Sequence, residues 1–274
     1  MIVCTGDETG LVKLHSNLRK EVQTYGEQSR QKGVAALHSS SSSRQVSVLR
    51  KNGMLERYSM DGKSLEMELM NETFSSVMSP LGLVHLNYNS RSLVYNEEGS
   101  LATISEDNAV ESFKISGPLS VITALNDGFA AGGKENDVKI FDAETRECVW
   151  AARNVPHDNL KLRVPVYVKD ISFINHENYV ASGGCFVTGT AYKQMRLYDT
   201  RVSSQPCSST EIGDYCLTKV KVSSEGNSVF LGDTSGELFC YDLRTLKRIA
   251  TLSSAAGSIR GLTLSESGKL LTCS

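Results

Sequence analysis

The chain has 274 residues, with 29 Lys and Arg against 31 Asp and Glu, and a formal net charge of −2. Apolar residues make up 40% and charged residues 22% of it, which excludes a wholly disordered chain. The near-zero charge removes the simplest argument for bulk nucleic-acid affinity, and no apolar run approaches the ~18–20 residues of a membrane span. The first residues lack the basic region of a signal peptide, so we expect a soluble intracellular protein.

A short pattern recurs along the chain: a turn residue, and then a five-residue run whose second position is apolar. Alternation with a period of two predicts a β-strand with one buried face. The six occurrences cover residues 10–15, 53–58, 99–104, 136–141, 193–198 and 236–241. Their last residues are 43, 46, 37, 57 and 43 positions apart. This spacing is typical of the ~40–45 residues in one four-stranded propeller blade.

Neighbouring residues support the same architecture. Three of the runs end in an aromatic residue followed by Asp, a softened form of the Trp-Asp dipeptide of WD repeats: Phe141-Asp142, Tyr198-Asp199 and Tyr241-Asp242. The preceding strands are predicted at 179–184 and 229–232, and the strands before those at 171–174 and 220–222. We therefore predict an all-β fold, a WD40-type seven-bladed β-propeller, as one domain over residues 1–274.

The ends of the chain suggest that this propeller is incomplete. About six full repeats are present, and residues 258–264 and 269–274 open a seventh that stops where the next turn is expected. Residues 2–4 resemble a second strand with no first strand before it. We expect truncation within the last blade and closure of the ring by something outside this sequence.

The 57-residue interval is 14 residues longer than a typical 43. Part of the excess lies in residues 151–169, a long connection between blades, and the rest in a turn predicted at 183–193. Both loop types leave the same face of a propeller, so we expect the two to lie side by side. Within the connection, Val155-Pro156 and Val164-Pro165 favour extended backbone. It is either a strap that packs its apolar residues on the propeller or a preformed recognition edge.

Signatures of catalysis and of cofactor binding are weak. Residues 128–134 fit the GxxxxGK spacing of a phosphate-binding loop, but Glu135 stands where a hydroxyl should ligate Mg²⁺, and a strand is predicted to follow instead of a helix. The seven cysteines form no CxxC pair, and the five histidines are scattered. We therefore predict no metal, no cofactor, no catalytic residue and no enzyme activity. A metal-dependent propeller hydrolase is kept as an alternative function, ranked below two non-catalytic ones.

Several segments closely resemble one WD-repeat family, the nucleolar ribosome-biogenesis factors of the large-subunit (pre-60S) precursor. They are residues 131–136 (AGGKEN), 138–140 (VKI), 152–155 (ARNV) and 162–166 (LRVPV), and residues 213–215, 226–229 and 257–261 resemble the family's later blades. The resemblance is specific from about residue 131 to 274 and looser from 1 to 130. The resemblance implies a non-catalytic scaffold of the nucleolus and nucleus that binds pre-ribosomal particles beside assembly factors and rRNA. It also implies release by a nuclear AAA ATPase and no membrane partner.

The family's Arg-Asn-Val and Leu-Arg-Val-Pro positions fall inside the long connection, where arginines suit phosphate or carboxylate groups. The predicted surface for partner and rRNA binding consists of Arg153, Asn154, Asp158, Lys161, Arg163, Pro165, Tyr167, Lys169, Tyr192 and Lys193. The main alternative function is a WD-repeat adaptor of an unrelated complex, such as a ubiquitin-ligase substrate receptor.

Overall fold

The computed structural model describes residues 2–16, 21–40, 45–59, 65–69, 79–86, 90–105, 107–174, 184–253, 256–265 and 270–273. These residues are almost entirely β-structure, with one short 3-10 helix at Arg30–Lys32 and no α-helix in the described ranges. Within them, no helical segment has the length and apolarity needed to traverse a lipid bilayer. The strands divide between two compact units, residues 1–85 with 89–117, and residues 86–88 with 118–274.

The described strands of the first unit form three antiparallel sheets. One contains β1 (Ile2–Gly6), β2 (Val12–Ser16) and β3 (Glu21–Tyr25). The next contains β4 (Val34–Ser40), β5 (Gln45–Arg50), β6 (Leu55–Ser59) and β7 (Leu65–Leu69). The third contains β8 (Pro80–Leu86), β9 (Arg91–Asn96), β10 (Ser100–Ile104) and β11 (Val110–Lys114).

The second unit continues the same pattern, with strands paired in chain order. Its first sheet contains β12 (Val121–Ala124), β13 (Gly128–Gly133), β14 (Asn136–Asp142) and β15 (Cys148–Ala151). The next contains β16 (Val168–Phe173), β17 (Cys185–Thr190), β18 (Gln194–Asp199) and β19 (Ser208–Glu211). The third contains β20 (Leu217–Val222), β21 (Ser228–Asp233), β22 (Glu237–Asp242) and β23 (Arg248–Ser253), and the last contains β24 (Gly261–Leu264) and β25 (Leu270–Cys273).

The six predicted runs are confirmed as strands β2, β6, β10, β14, β18 and β22. Five of them are the third strand of a four-stranded sheet, and β2 is the middle strand of the three-stranded first sheet; all six have antiparallel neighbours on both sides, as in a WD40 blade. Residues 128–133, which match the phosphate-binding spacing, form the buried strand β13, and strand β14 follows as predicted. The all-β class is therefore confirmed, and the arrangement is consistent with a WD40 β-propeller. The seven blades, the single domain and the truncation stay predictions.

The long turn predicted at 183–193 is wrong. Residues Cys185–Thr190 form strand β17, which pairs with β16 on one side and with β18 on the other. The turn shrinks to residues 191–193. The cause is the burial of Phe186, Val187 and Thr188, whose bulky and β-branched side chains fit a strand between two neighbours. The strand predicted at 179–184 lies almost wholly outside the described residues.

Successive sheets pack through a glycine that the sequence pattern does not reveal. A Cβ added to Gly189 of β17 would lie 2.6 Å from Cγ2 of Val220, on the first strand of the next sheet. The same arrangement brings Gly132 against Val168, Gly232 against Ile259 and, in the first unit, Gly6 against Val34. The bare backbone of each glycine thus receives a β-branched side chain that lies on the first strand of the following sheet or, for Ile259, just before it. This contact at Gly6 places β1 in the position of a second strand, as predicted for residues 2–4.

Hydrogen bonds from the first strands join neighbouring sheets of the second unit. Thr123 Oγ1 donates to the carbonyl oxygen of Ile171 over 3.1 Å, and Thr218 Oγ1 donates to that of Ile259 over 2.7 Å. The backbone amide of Val220 donates to Asp170 Oδ2 over 2.9 Å. These bonds fix the register between neighbouring sheets, and with it the position of the loops between them.

Candidate functional site

The long connection, here called the strap, comprises residues 152–167 between β15 and β16. It leaves the sheet with two backbone hydrogen bonds of 2.8 Å, from the amide of Ala152 to the carbonyl of Val138 and from the amide of Arg153 to that of Ser204. The strap therefore starts against both its own sheet and the loop that follows β18.

Asn154 closes the strap at its root. Its Nδ2 donates to the carbonyl of Val164 over 2.6 Å, and its Oδ1 accepts from the amide of Val155 over 2.8 Å. The same oxygen accepts a 3.0 Å hydrogen bond from Nη1 of Arg196, a β18 residue that is only 1% exposed. Arg196 is held in turn by Gln194 Oε1, which lies 3.1 Å from Nε and 2.7 Å from Nη2. The two arms of the strap are thus joined over a buried guanidinium group.

Asp158 builds the tip of the strap, residues 158–163. Its Oδ1 accepts hydrogen bonds from the amides of Leu160 and Leu162 over 2.9 and 2.8 Å. Its backbone amide donates to the carbonyl of Leu162 over 3.0 Å, and its carbonyl accepts from the amide of Lys161 over 2.9 Å. Lys161 adopts the left-handed conformation, with φ of 62°, which completes the turn. The tip is a closed, hydrogen-bonded turn.

Glu135 anchors the returning arm. Its backbone amide donates to the carbonyl of Val166 over 2.8 Å, and its Oε1 accepts from the amide of Val166 over 3.3 Å. Its Oε2 lies 3.2 Å from Nη2 of Arg163, in an ion pair whose side chains are 45% and 59% exposed. Such an exposed pair contributes about 0–1 kcal/mol. Val166 itself is fully buried in the core of the second unit.

The turn at 191–193 lies beside the end of the strap. The amide of Ala191 donates to the carbonyl of Tyr167 over 2.9 Å, so the expected proximity of the two loops is confirmed although the turn is shorter than predicted. Tyr192 is exposed at this turn, and Lys193 has φ of 63°. Nζ of Lys169 donates to Tyr167 Oη over 2.8 Å and lies 4.0 Å from the centroid of the same ring.

Each interpretation of the strap describes a different part of it. Val155 and Val164 are half-buried and Val166 is buried, as expected for a strap packed on the sheets. Leu160 and Leu162, in contrast, are 77% and 60% exposed, as expected for a recognition edge.

The ten predicted site residues divide in the same way. Six are exposed at the surface: Arg153, Asp158, Lys161, Arg163, Pro165 and Tyr192. Four are half-buried: Asn154, Tyr167, Lys169 and Lys193. Asn154 and Asp158 hold the strap in shape, since their polar atoms bind its own backbone.

Sequence reasoning missed three residues that position the strap, namely Glu135, Gln194 and Arg196. A half-buried carboxylate also belongs here, since Oδ1 of Asp137 lies 4.0 Å from Nη1 of Arg196. Burial raises the pKa of Asp137, and the positive charge of Arg196 opposes that shift. Across the described part of the chain, no three His, Cys, Asp or Glu side chains meet as metal ligands.

Comparison with known proteins identifies relatives of the chain. WD repeat-containing protein 74 of Bos taurus and that of Homo sapiens are each 40% identical over 144 residues, which cover 52% of this chain and 36% of either protein. Ribosome biogenesis protein nsa1 of Schizosaccharomyces pombe is 25% identical over an alignment of 299 residues, covering 94% of this chain and 77% of that protein. No family model matches the chain.

The match thus spans 36% of the length of the mammalian relatives. The mammalian relatives are named as WD-repeat proteins and the Schizosaccharomyces pombe relative as a ribosome biogenesis protein, which confirms the resemblance drawn from the sequence.

Proposed function

We propose that this chain acts in ribosome biogenesis, as a non-catalytic scaffold that binds assembling large-subunit particles in the nucleolus and nucleus. The observation that carries the proposal is the match of 94% of the chain to ribosome biogenesis protein nsa1. Its partners on this proposal are the pre-ribosomal particle, its assembly factors and its rRNA. A nuclear AAA ATPase releases it, and no membrane is involved.

The strap supports a binding role. It is held at its root by Asn154 and Arg196 and at its tip by Asp158, and it still presents exposed aliphatic and basic side chains. Ordered loops on a rigid scaffold are the usual place for recognition residues. The exposed guanidinium groups of Arg153 and Arg163 suit carboxylates and phosphates, which an assembling ribonucleoprotein offers in number.

Affinity purification with RNA analysis tests the proposal. The tagged protein should co-purify precursor rRNA of the large subunit together with assembly factors. Recovery of ubiquitin-ligase subunits without precursor rRNA would instead establish the adaptor function and refute ours.

A further inference from the structure

Resting on the proposed function, we further propose that the strap tip is a protein-docking element. Leu160 and Leu162 enter an apolar pocket of an assembly-factor protein whose rim is acidic. The partner at this point of the particle is therefore a protein and not rRNA.

The exposure of the two leucines is the first argument. Leu160 has the most exposed large hydrophobic side chain among the described residues, and Leu162 stands two positions away on the same turn. Transfer of leucine from water to an apolar pocket is favourable in proportion to the area removed from water. Anchoring residues of this kind in fully desolvated pockets supply most of the binding energy of protein interfaces.

The rigidity of the turn is the second argument. Asp158 fixes the backbone of both leucines through their amides, and Lys161 completes the turn with a left-handed conformation. The root of the strap is closed by Asn154. A turn that is already ordered loses little conformational entropy when it binds, so more of the burial energy appears as affinity.

Charge and chemistry identify the partner. Lys161 lies between the two leucines and is exposed, and neither it nor Arg153 forms an ion pair within the described part of the chain. Carboxylates around the pocket would complement these cations. Single-stranded RNA is bound by aromatic rings or guanidinium planes that stack on bases. The tip at 158–163 contains no aromatic residue, and its one arginine, Arg163, is paired with Glu135. Aliphatic leucines offer RNA neither a stacking surface nor a hydrogen bond.

The test compares the Leu160→Ser/Leu162→Ser double variant with Val202→Ser, a matched control that removes a 75% exposed aliphatic side chain outside the strap. Each tagged protein is followed by co-sedimentation with large-subunit precursors. The double variant should lose about ten-fold or more of its association, and Val202→Ser should match the wild type. Thermal melting should be unchanged in both, since the altered side chains are in water. The single Leu160→Lys variant provides a second, minimal change if the double variant folds poorly.

A benzophenone photocrosslinker at position 160 reads the partner's class directly. The expected adduct resists ribonuclease and is removed by protease, whereas a ribonuclease-sensitive adduct would overturn the inference. Normal sedimentation of the leucine variants would overturn it too, while leaving the proposed function intact. If the wild type itself fails to co-sediment, the proposed function fails. The crosslink then decides the docking inference. A protein adduct that is lost when Lys161→Glu is added supports it, and the absence of an adduct refutes it.

Discussion

The contact between Gly189 and Val220 makes a quantitative prediction about how neighbouring sheets pack. A Cβ at position 189 would lie 2.6 Å from Cγ2 of Val220, well inside ordinary van der Waals contact. Val220 is buried, so Gly189→Ala forces side chain or backbone to shift, at a cost of about 1–3 kcal/mol for overpacking. Val220→Ala alone should cost about 1–3 kcal/mol through the cavity that it leaves. In the double variant the clash has gone, so the combined loss should fall short of the sum by about 1 kcal/mol or more.

The assay is equilibrium urea unfolding followed by the fluorescence of Trp150, the single tryptophan of the chain. Its ring packs edge-on against Phe186 of β17, so its emission reports on the sheet under test. Gly132→Ala is the graded control, since its Cβ would lie 3.2 Å from Val168 and needs only a small adjustment. Its loss of stability should be smaller than that of Gly189→Ala. Wild-type stability for Gly189→Ala, or strictly additive losses in the double variant, would refute the packing argument.

Three further predictions concern other parts of the molecule. Burial, and to a smaller extent the neighbouring His85, lower the pKa of His38 to about 4. Because the unfolded chain binds this proton at a higher pH than the folded chain, the free energy of unfolding falls as the pH is lowered from about 6.5 toward 4. Urea unfolding at pH 5 should show about 2 kcal/mol less stability from this group than at pH 7.5; His38→Phe should remove that loss, and a change at the exposed His157 should not. Glu56→Ala should lower the free energy of unfolding by about 3–5 kcal/mol, because it leaves the buried guanidinium of Arg50 without its carboxylate; a loss near zero in urea unfolding would contradict this. Arg163→Ala should weaken association with pre-ribosomal particles by about 1.5–3 kcal/mol in a sedimentation titration, with thermal stability nearly unchanged; early unfolding would show a structural role instead.

Local periodicity was sufficient to predict strands β2, β6, β10, β14, β18 and β22. Leu101, Val138, Met195 and Leu238 each occupy the apolar second position of their run, and each is buried. Alternation of this kind depends only on which face of one strand meets the core, so it is visible in a few residues. The aromatic-Asp endings have an equally local cause, since Oδ1 of Asp142 accepts the backbone amides of the turn that follows.

The second strand of the β16–β19 sheet shows where local reasoning fails. Residues 183–184 repeat the Gly-Gly pair found at 132–133, and the analogy places a turn at them. In the structure strand β17 instead runs from Cys185 to Thr190, because five consecutive residues after Cys185 are buried between two partner strands. Glycine in this fold serves packing as well as turns, as the contacts of Gly132 and Gly189 show. A glycine pair therefore does not distinguish the two roles without the residues on the neighbouring sheet.

The strap could be located from its length and its prolines, but its anchors could not. Glu135 binds an amide 31 residues further along the chain, and Arg196 reaches back 42 residues to Asn154. Such long-range bonds leave no periodic trace. Asp158 is different, because a carboxylate that binds the amides two and four residues later is a local Asx arrangement. An Asp before Asn-Leu-Lys-Leu was therefore the one available signal for the shape of the tip.

These anchors also determine which strap residues a partner can reach. The amide oxygen of Asn154 already accepts from Val155 and Arg196, and its nitrogen already donates to Val164. A change at Asn154 would thus alter binding by releasing the loop, and not by removing a contact. The side chains that a partner can contact are the exposed ones at the tip, chiefly Leu160 and Leu162. Since the backbone beneath them is fixed by Asp158, their loss should weaken association without loosening the strap, which separates contact from scaffold in a single pair of substitutions.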